Sequence, residues 1–149
     1  MDLSITRATL ADLDTIVPLF DRYRVFYGKP SDPALARAFM RARLERAESV
    51  VLLAWIDAQA VGFTQLYPAF SSVSAAHVWV LNDLLVLPDA RRNGIARALL
   101  SSAADFARAD GALRLELETD HDNAAAQALY RAMGWIPYEG TLRFRLSLD

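Results

Sequence analysis

The stretch Arg91-Arg92-Asn93-Gly94-Ile95-Ala96-Arg97 combines three guanidinium groups with a glycine, directly after the apolar run Leu84-Leu85-Val86-Leu87-Pro88. The chemistry open to such a stretch is to hold an anion. Beyond it, Ile95, Leu99, Leu100, Ala103, Phe106 and Ala107 fall on one stripe at helical spacing, so the spacing predicts that the turn opens a helix. A helix start leaves backbone N–H groups without partners and carries roughly half a positive charge. Gly94 lets that backbone approach an anion with no Cβ in the way. A strand that feeds such a turn is a place for the phosphates of a nucleotide-bearing cofactor. The dinucleotide fingerprint Gly-x-Gly-x-x-Gly is absent, which argues against a Rossmann site.

The elements that must position this turn read as follows. Leu3 to Ala8 alternates as a strand, and Thr9 with Asp12 resembles a capping box opening a helix that ends near Gly28-Lys29-Pro30. Ser31-Asp32-Pro33 starts a second helix running to about Glu48, with Pro33 suited to its first turn. Val50 to Ile56 and Val61 to Ala69 form a hairpin, and Ala76 to Leu87 a longer strand before the third helix. Leu113, Leu115 and Leu117 alternate as a fifth strand. Asn123 opens a short fourth helix that Gly134 stops. Trp135 to Tyr138 and Thr141 to Leu148 read as two last strands. The whole, residues 1–149, reads as a single mixed α/β domain without repeat or linker.

Composition narrows the function classes. Sixteen basic and 18 acidic side chains give a formal net charge of −2, with no basic excess to ask for nucleic acid. The absence of cysteine excludes a disulfide framework, a thiolate nucleophile and a cysteine zinc site. His121 between Asp120 and Asp122 is more simply a solvated loop than a metal site, so no metal is expected. The N-terminus lacks the pattern of a signal peptide, and the longest apolar run is far short of the ~20 residues of a membrane span. A soluble cytoplasmic protein with no membrane partner is the expectation.

Two motifs carry a resemblance. Leu84-x-Val86-x-Pro88 followed by Arg91-x-x-Gly94-x-Ala96, and then Asn123, Ala126, Leu129, Tyr130, Gly134 and Trp135 at the spacing N-x-x-A-x-x-L-Y-x-x-x-G-W, resemble the GNAT superfamily of acetyl-CoA-dependent N-acetyltransferases. The order of elements fits from end to end. The resemblance implies a GNAT-like fold: a mixed, mostly antiparallel seven-stranded sheet with four helices, in which strands four and five splay to hold acyl-CoA.

It also implies roles. Backbone groups of Leu84, Leu85 and Val86 would pair with the pantetheine arm. Amides of the turn that includes Arg91, Arg92, Asn93, Gly94, Ile95, Ala96 and Arg97 would hold the pyrophosphate, and Asn123 would orient the cofactor or the acceptor. An amine attacks the thioester directly, so it must first lose a proton, since a free alkylamine has a pKa of about 10. Val86 would offer its N–H to the oxyanion. Tyr130, which on spacing alone reads as a core residue beside Ala126 and Met133, would donate to the departing thiolate. Many relatives place a glutamate where this chain has Asn82, which cannot accept that proton. Glu118 matches an acid of related protein N-terminal acetyltransferases, and Asp83 is the other candidate base. Each is also read as structural, Glu118 as a solvated strand-face charge and Asp83 as a hydrogen-bonder at a strand start.

The acceptor is expected in the segments Tyr23 to Pro30 and Tyr67 to Ser72, with Tyr27, Asn82 and Asp83 as substrate residues. These aromatics are also read as core or dimer contacts. Weak similarity to the diamine and polyamine branch favours a small primary amine. A protein N-terminus or lysine, and a silent acyl-CoA sensor, remain alternatives. Relatives often dimerise through the final strand, so a homodimer is also an expectation.

Overall fold

Val50–Ile56 is apolar at every position because it runs through the middle of a sheet covered on both faces. The computed structural model describes residues 2–149 and places this strand, β2, between β1 (Leu3–Arg7) and β3 (Gln59–Ser71). β4 (Ala76–Val86) and β5 (Leu115–Leu117) complete five strands in the order β1-β2-β3-β4-β5. The first four pair antiparallel; β5 pairs parallel to β4 through the crossover helix α3 (Ile95–Ala109).

Two helices cover one face. α1 (Leu13–Phe26) is entered through a short turn over Leu10–Asp12, where the capping box read in the sequence is present: Thr9 N–H donates to Asp12 Oδ2 at 2.9 Å. α2 (Pro33–Glu45) has Asp32 as its cap and Pro33 in its first turn. Their apolar side chains, among them Ile16, Phe20 and Met40, form one core with Val51, Leu53, Phe63 and Leu85. The loop between them is tied down by buried Asp21, which accepts from Ser31 Oγ at 2.6 Å and the Asp32 amide at 2.8 Å. Those bonds, the Ser31 hydroxyl foremost, hold its carboxyl below the usual range.

The chain forms two compact units, one ending at Glu118 and the other Thr119–Asp149. The first holds the sheet with α1, α2 and α3. The second holds α4 (Ala124–Ala132). The expectation of seven strands is corrected here: the sheet has five, and residues 135–149 adopt no regular structure. Alternation over Thr141 to Leu148 selects a face but supplies no neighbour to complete the hydrogen-bond ladder, and Phe144 is 92 % exposed. The fifth strand begins at Leu115 rather than Leu113, and the second helix ends at Glu45 rather than near Glu48.

Candidate functional site

The polar centre of the first unit arises from an extra residue in β4. Gln65 lies opposite Asp83 and Leu66 opposite Leu81, which leaves Asn82 without a partner on β3. Cross-strand partners share a face whereas neighbours along a strand do not, so this bulge reverses the alternation of β4. Upstream, Trp79 meets Phe106 of α3, ring centroids 5.1 Å apart. Downstream, Leu85 belongs to the core beneath α1 and α2. Asp83 therefore turns toward α1 and α2.

There it lines a pocket of about 360 Å³ together with Phe20, Tyr23, Arg24, Leu35, Phe39, Tyr67 and Asn82. Phe20 stacks on Phe39 at 5.4 Å, and Tyr23 meets Phe63 edge-on at 5.9 Å. Asp83 is 2 % exposed. Behind it runs a buried relay of side chains: Ser49 Oγ donates to Gln65 Oε1 at 2.8 Å, and Gln65 Nε2 donates to Asp83 Oδ2 at 2.6 Å. Thr64 Oγ1 donates to the Asp83 carbonyl at 2.7 Å, and the Tyr23 hydroxyl to the Asn82 carbonyl at 3.1 Å. The backbone of the bulge is thus held from both sides.

Burial pushes the Asp83 carboxyl up to about 6, against the Gln65 bond that favours its ionised form. Burial, then the Asp83 charge, raises Tyr67 to about 12 and Tyr23 higher still. The pocket floor is therefore a carboxylate that exchanges a proton near neutrality, flanked by two phenols that keep theirs.

β5 pairs with β4 only from Trp79 to Leu81, while β4 continues to Val86. The side of β4 away from β3 thus has no strand partner at Leu84, Leu85 and Val86. The following turn is shaped by main chain. Arg92 and Gly94 sit at positive φ, 68° and 74°, and the first helical bond recorded at the start of α3 runs from Ala98 N–H to the Gly94 carbonyl at 3.0 Å. No side chain caps this helix, so the amides of Ile95, Ala96 and Arg97 have no helical acceptor. Two predicted side chains bond within the turn itself: Asn93 Nδ2 donates to the Ala90 carbonyl at 3.1 Å and Arg91 Nε to the Val86 carbonyl at 3.3 Å. Arg92 and Arg97 are exposed, and Ile95 is buried in the core.

The remaining expected residues lie elsewhere. Tyr27 packs on Tyr23, centroids 5.0 Å apart, but is mostly exposed and does not line the pocket. Glu118 follows β5, is exposed and does not line the pocket either. In the second unit, Asn123 Oδ1 accepts from Ala126 N–H at 3.2 Å and so caps α4, which carries Tyr130 beside Trp135 at 6.1 Å. Phe20, Leu35, Phe39, Ser49 and Gln65 were not expected as site residues from the sequence, Phe20 being placed only on the apolar stripe of the first helix. The one available signal was Gln65 itself, an amide inside an apolar strand that needs partners once buried. Among the described residues no cluster of three or more His, Asp or Glu could hold a metal, and no helix is long and apolar enough to cross a membrane.

Comparison with known proteins agrees with the geometry. Residues 15–135 match the model of the acetyltransferase (GNAT) family. The chain is 44 % identical over 146 residues to the uncharacterized N-acetyltransferase YhfO of Bacillus subtilis (strain 168), covering 98 % of each. It is 32 % identical over 117 residues to a probable acetyltransferase of Haemophilus influenzae (strain Rd), covering 78 % of this chain and 80 % of that one. A crystal structure of a probable acetyltransferase superposes with a TM-score of 0.92 at 42 % identity, covering 98 % of both chains. A bulged fourth strand with an open edge, an uncapped helix start behind it and matches of this extent lead to one conclusion: the chain belongs to the GNAT family and is an acetyltransferase.

Proposed function

We propose that this enzyme acetylates a small primary amine seated in the pocket beneath β4, with Asp83 as the group that takes the proton. The observation that carries the reading is a 2 % exposed carboxylate on the pocket floor, raised to about 6 and oriented by Gln65. Asp83 sits one residue past the position where many relatives place a glutamate, so the bulge supplies what Asn82 lacks. Glu118 is the other assignable base, and its replacement is the control.

Family membership implies acetyl-CoA, and the residues present fit it. The amides from Ile95 to Arg97 and the left-handed Gly94 suit a pyrophosphate, and the unpartnered side of β4 suits an extended amide-bearing arm. When bound, acetyl-CoA supplies the activated acyl group and carries away the thiol. Leu84, Leu85 and Val86 would hold the arm through their backbone, with the Val86 N–H directed at the acyl oxygen. Arg92 and Arg97 add charge around the phosphates, Arg91 and Asn93 keep the turn in shape, and Ala96 leaves room. Asn123, by capping α4, fixes the helix from which Tyr130 would return a proton to the leaving sulfur. A pocket of about 360 Å³ walled by aromatic rings favours a compact acceptor over a protein segment.

The test is thiol release from acetyl-CoA with short alkylamines and with peptides, using the wild type, Asp83→Asn, Glu118→Gln and Tyr130→Phe. The expected result is turnover on small amines that Asp83→Asn and Tyr130→Phe cripple and Glu118→Gln spares. Turnover confined to peptides, or its loss in Glu118→Gln alone, overturns the assignment.

A further inference from the structure

Arg24 lines the same pocket as Asp83, and its Nη1 is buried without a hydrogen-bond partner. A guanidinium nitrogen removed from water and left unpaired is costly, and native proteins seldom keep one without use. Its neighbours on the helix do not satisfy it. Asp21, close enough to feel its charge, has both carboxylate oxygens engaged by Ser31 and the Asp32 amide, and no carboxylate among the described residues lies within ion-pair distance of Arg24. The pocket therefore carries one acidic and one basic group, with Phe20, Leu35, Phe39 and Tyr67 as its apolar lining.

We propose that the acceptor is an amino acid in the chemical sense: a primary amine that carries a carboxylate on the same short chain, the amine received at Asp83 and the carboxylate at Arg24. This rests on the pocket beneath β4 being the acceptor site. A planar guanidinium meets a carboxylate with charge-assisted bonds that a simple alkylamine cannot form, and such bonds contribute about 1.5–3 kcal/mol, or roughly ten- to a hundredfold in affinity. A diamine would set its second ammonium group against Arg24, so the same residue selects against polyamines as it selects for amino acids.

The experiment pairs ω-amino acids of three to six carbons with alkylamines and diamines of equal length. Binding to the protein without acetyl-CoA is followed by titration calorimetry, and thiol release is measured separately. The expected result is that the amino acids bind at least about tenfold tighter than the matched alkylamines. In Arg24→Gln this ratio should collapse toward one, and Arg24→Lys should restore part of it, with the change in turnover appearing in KM rather than kcat. Diamines binding as well as amino acids, an unchanged ratio in Arg24→Gln, or no binding by either series would overturn the proposal. Arg24-dependent binding with no thiol release from any amine would leave this proposal standing and sink the catalytic one instead.

Discussion

At the bulge on β4 the groups that matter are side chains, buried and paired in series, Ser49 on Gln65 and Gln65 on Asp83. At the turn before α3 they are backbone amides, and the cationic side chains Arg92 and Arg97 stand in solvent. The two regions belong to one strand-turn-helix segment yet depend on sequence differently. In the first, residue identity sets the chemistry, because a lost partner leaves a buried polar group unsatisfied. In the second, conformation sets it, and identity matters only where φ is positive or space is short.

Asp83→Asn should have the largest effect. If this carboxylate is the base, kcat/KM falls by about 10²–10⁴. Stability should move the other way. In the folded protein the Asp83 pKa of about 6 lies above the usual aspartate value of 3.8, so ionising it costs more folded than unfolded. Stability is full below pH 3.8 and falls as pH rises through 6. The loss approaches about 3 kcal/mol. Urea unfolding at pH 5 and pH 8 should show about half of this fall in the wild type and none of it in Asp83→Asn; parallel curves would break the contrast.

Gly94→Val tests the turn. A β-branched residue at φ 74° costs about 1–2 kcal/mol, and the deformed amides should raise KM for acetyl-CoA about tenfold or more while the acceptor KM changes little. Gln65→Leu removes the bond that favours ionised Asp83, so the acid limb of the kcat/KM profile, expected near pH 6, should move upward by about one unit. An unmoved limb would mean that the limb reports another group. Arg92→Ala and Arg97→Ala should be mildest, each under about threefold in acetyl-CoA KM and fading as salt is added. A loss of a hundredfold from either would place recognition in the side chains after all.

How legible these regions were in the sequence follows from the same contrast. The turn was legible because glycine at a strand-to-helix junction and the apolar stripe from Ile95 to Ala107 are local signals. The five strands and four helices followed from alternation, capping and proline placement. The pocket was legible in part: aromatic segments from Tyr23 and Tyr67 pointed to it, but Phe39 and Leu35 come from α2, and only tertiary packing brings them there. The relay to Asp83 hid because Ser49, Gln65 and Asp83 are remote in sequence, and their pairing depends on strand register. The tail misled because alternation persists where no neighbouring strand exists.

The unpaired Asn82 has a consequence for length variation rather than for substitution. Removing that residue would leave Leu81 opposite Leu66 and Asp83 opposite Gln65, because the extra residue has no partner on β3 to lose. Leu81 and Asp83 would become neighbours along a regular strand and so would still point to opposite faces, with Asp83 on the pocket floor and Leu85 in the core beneath α1 and α2. What the deletion would take away is the bend of the bulge and the carbonyl that accepts from the Tyr23 hydroxyl. The bulge is in this sense slack in β4: the residue count can change at this one place while the pairs across the sheet, and the face each side chain takes, stay as they are.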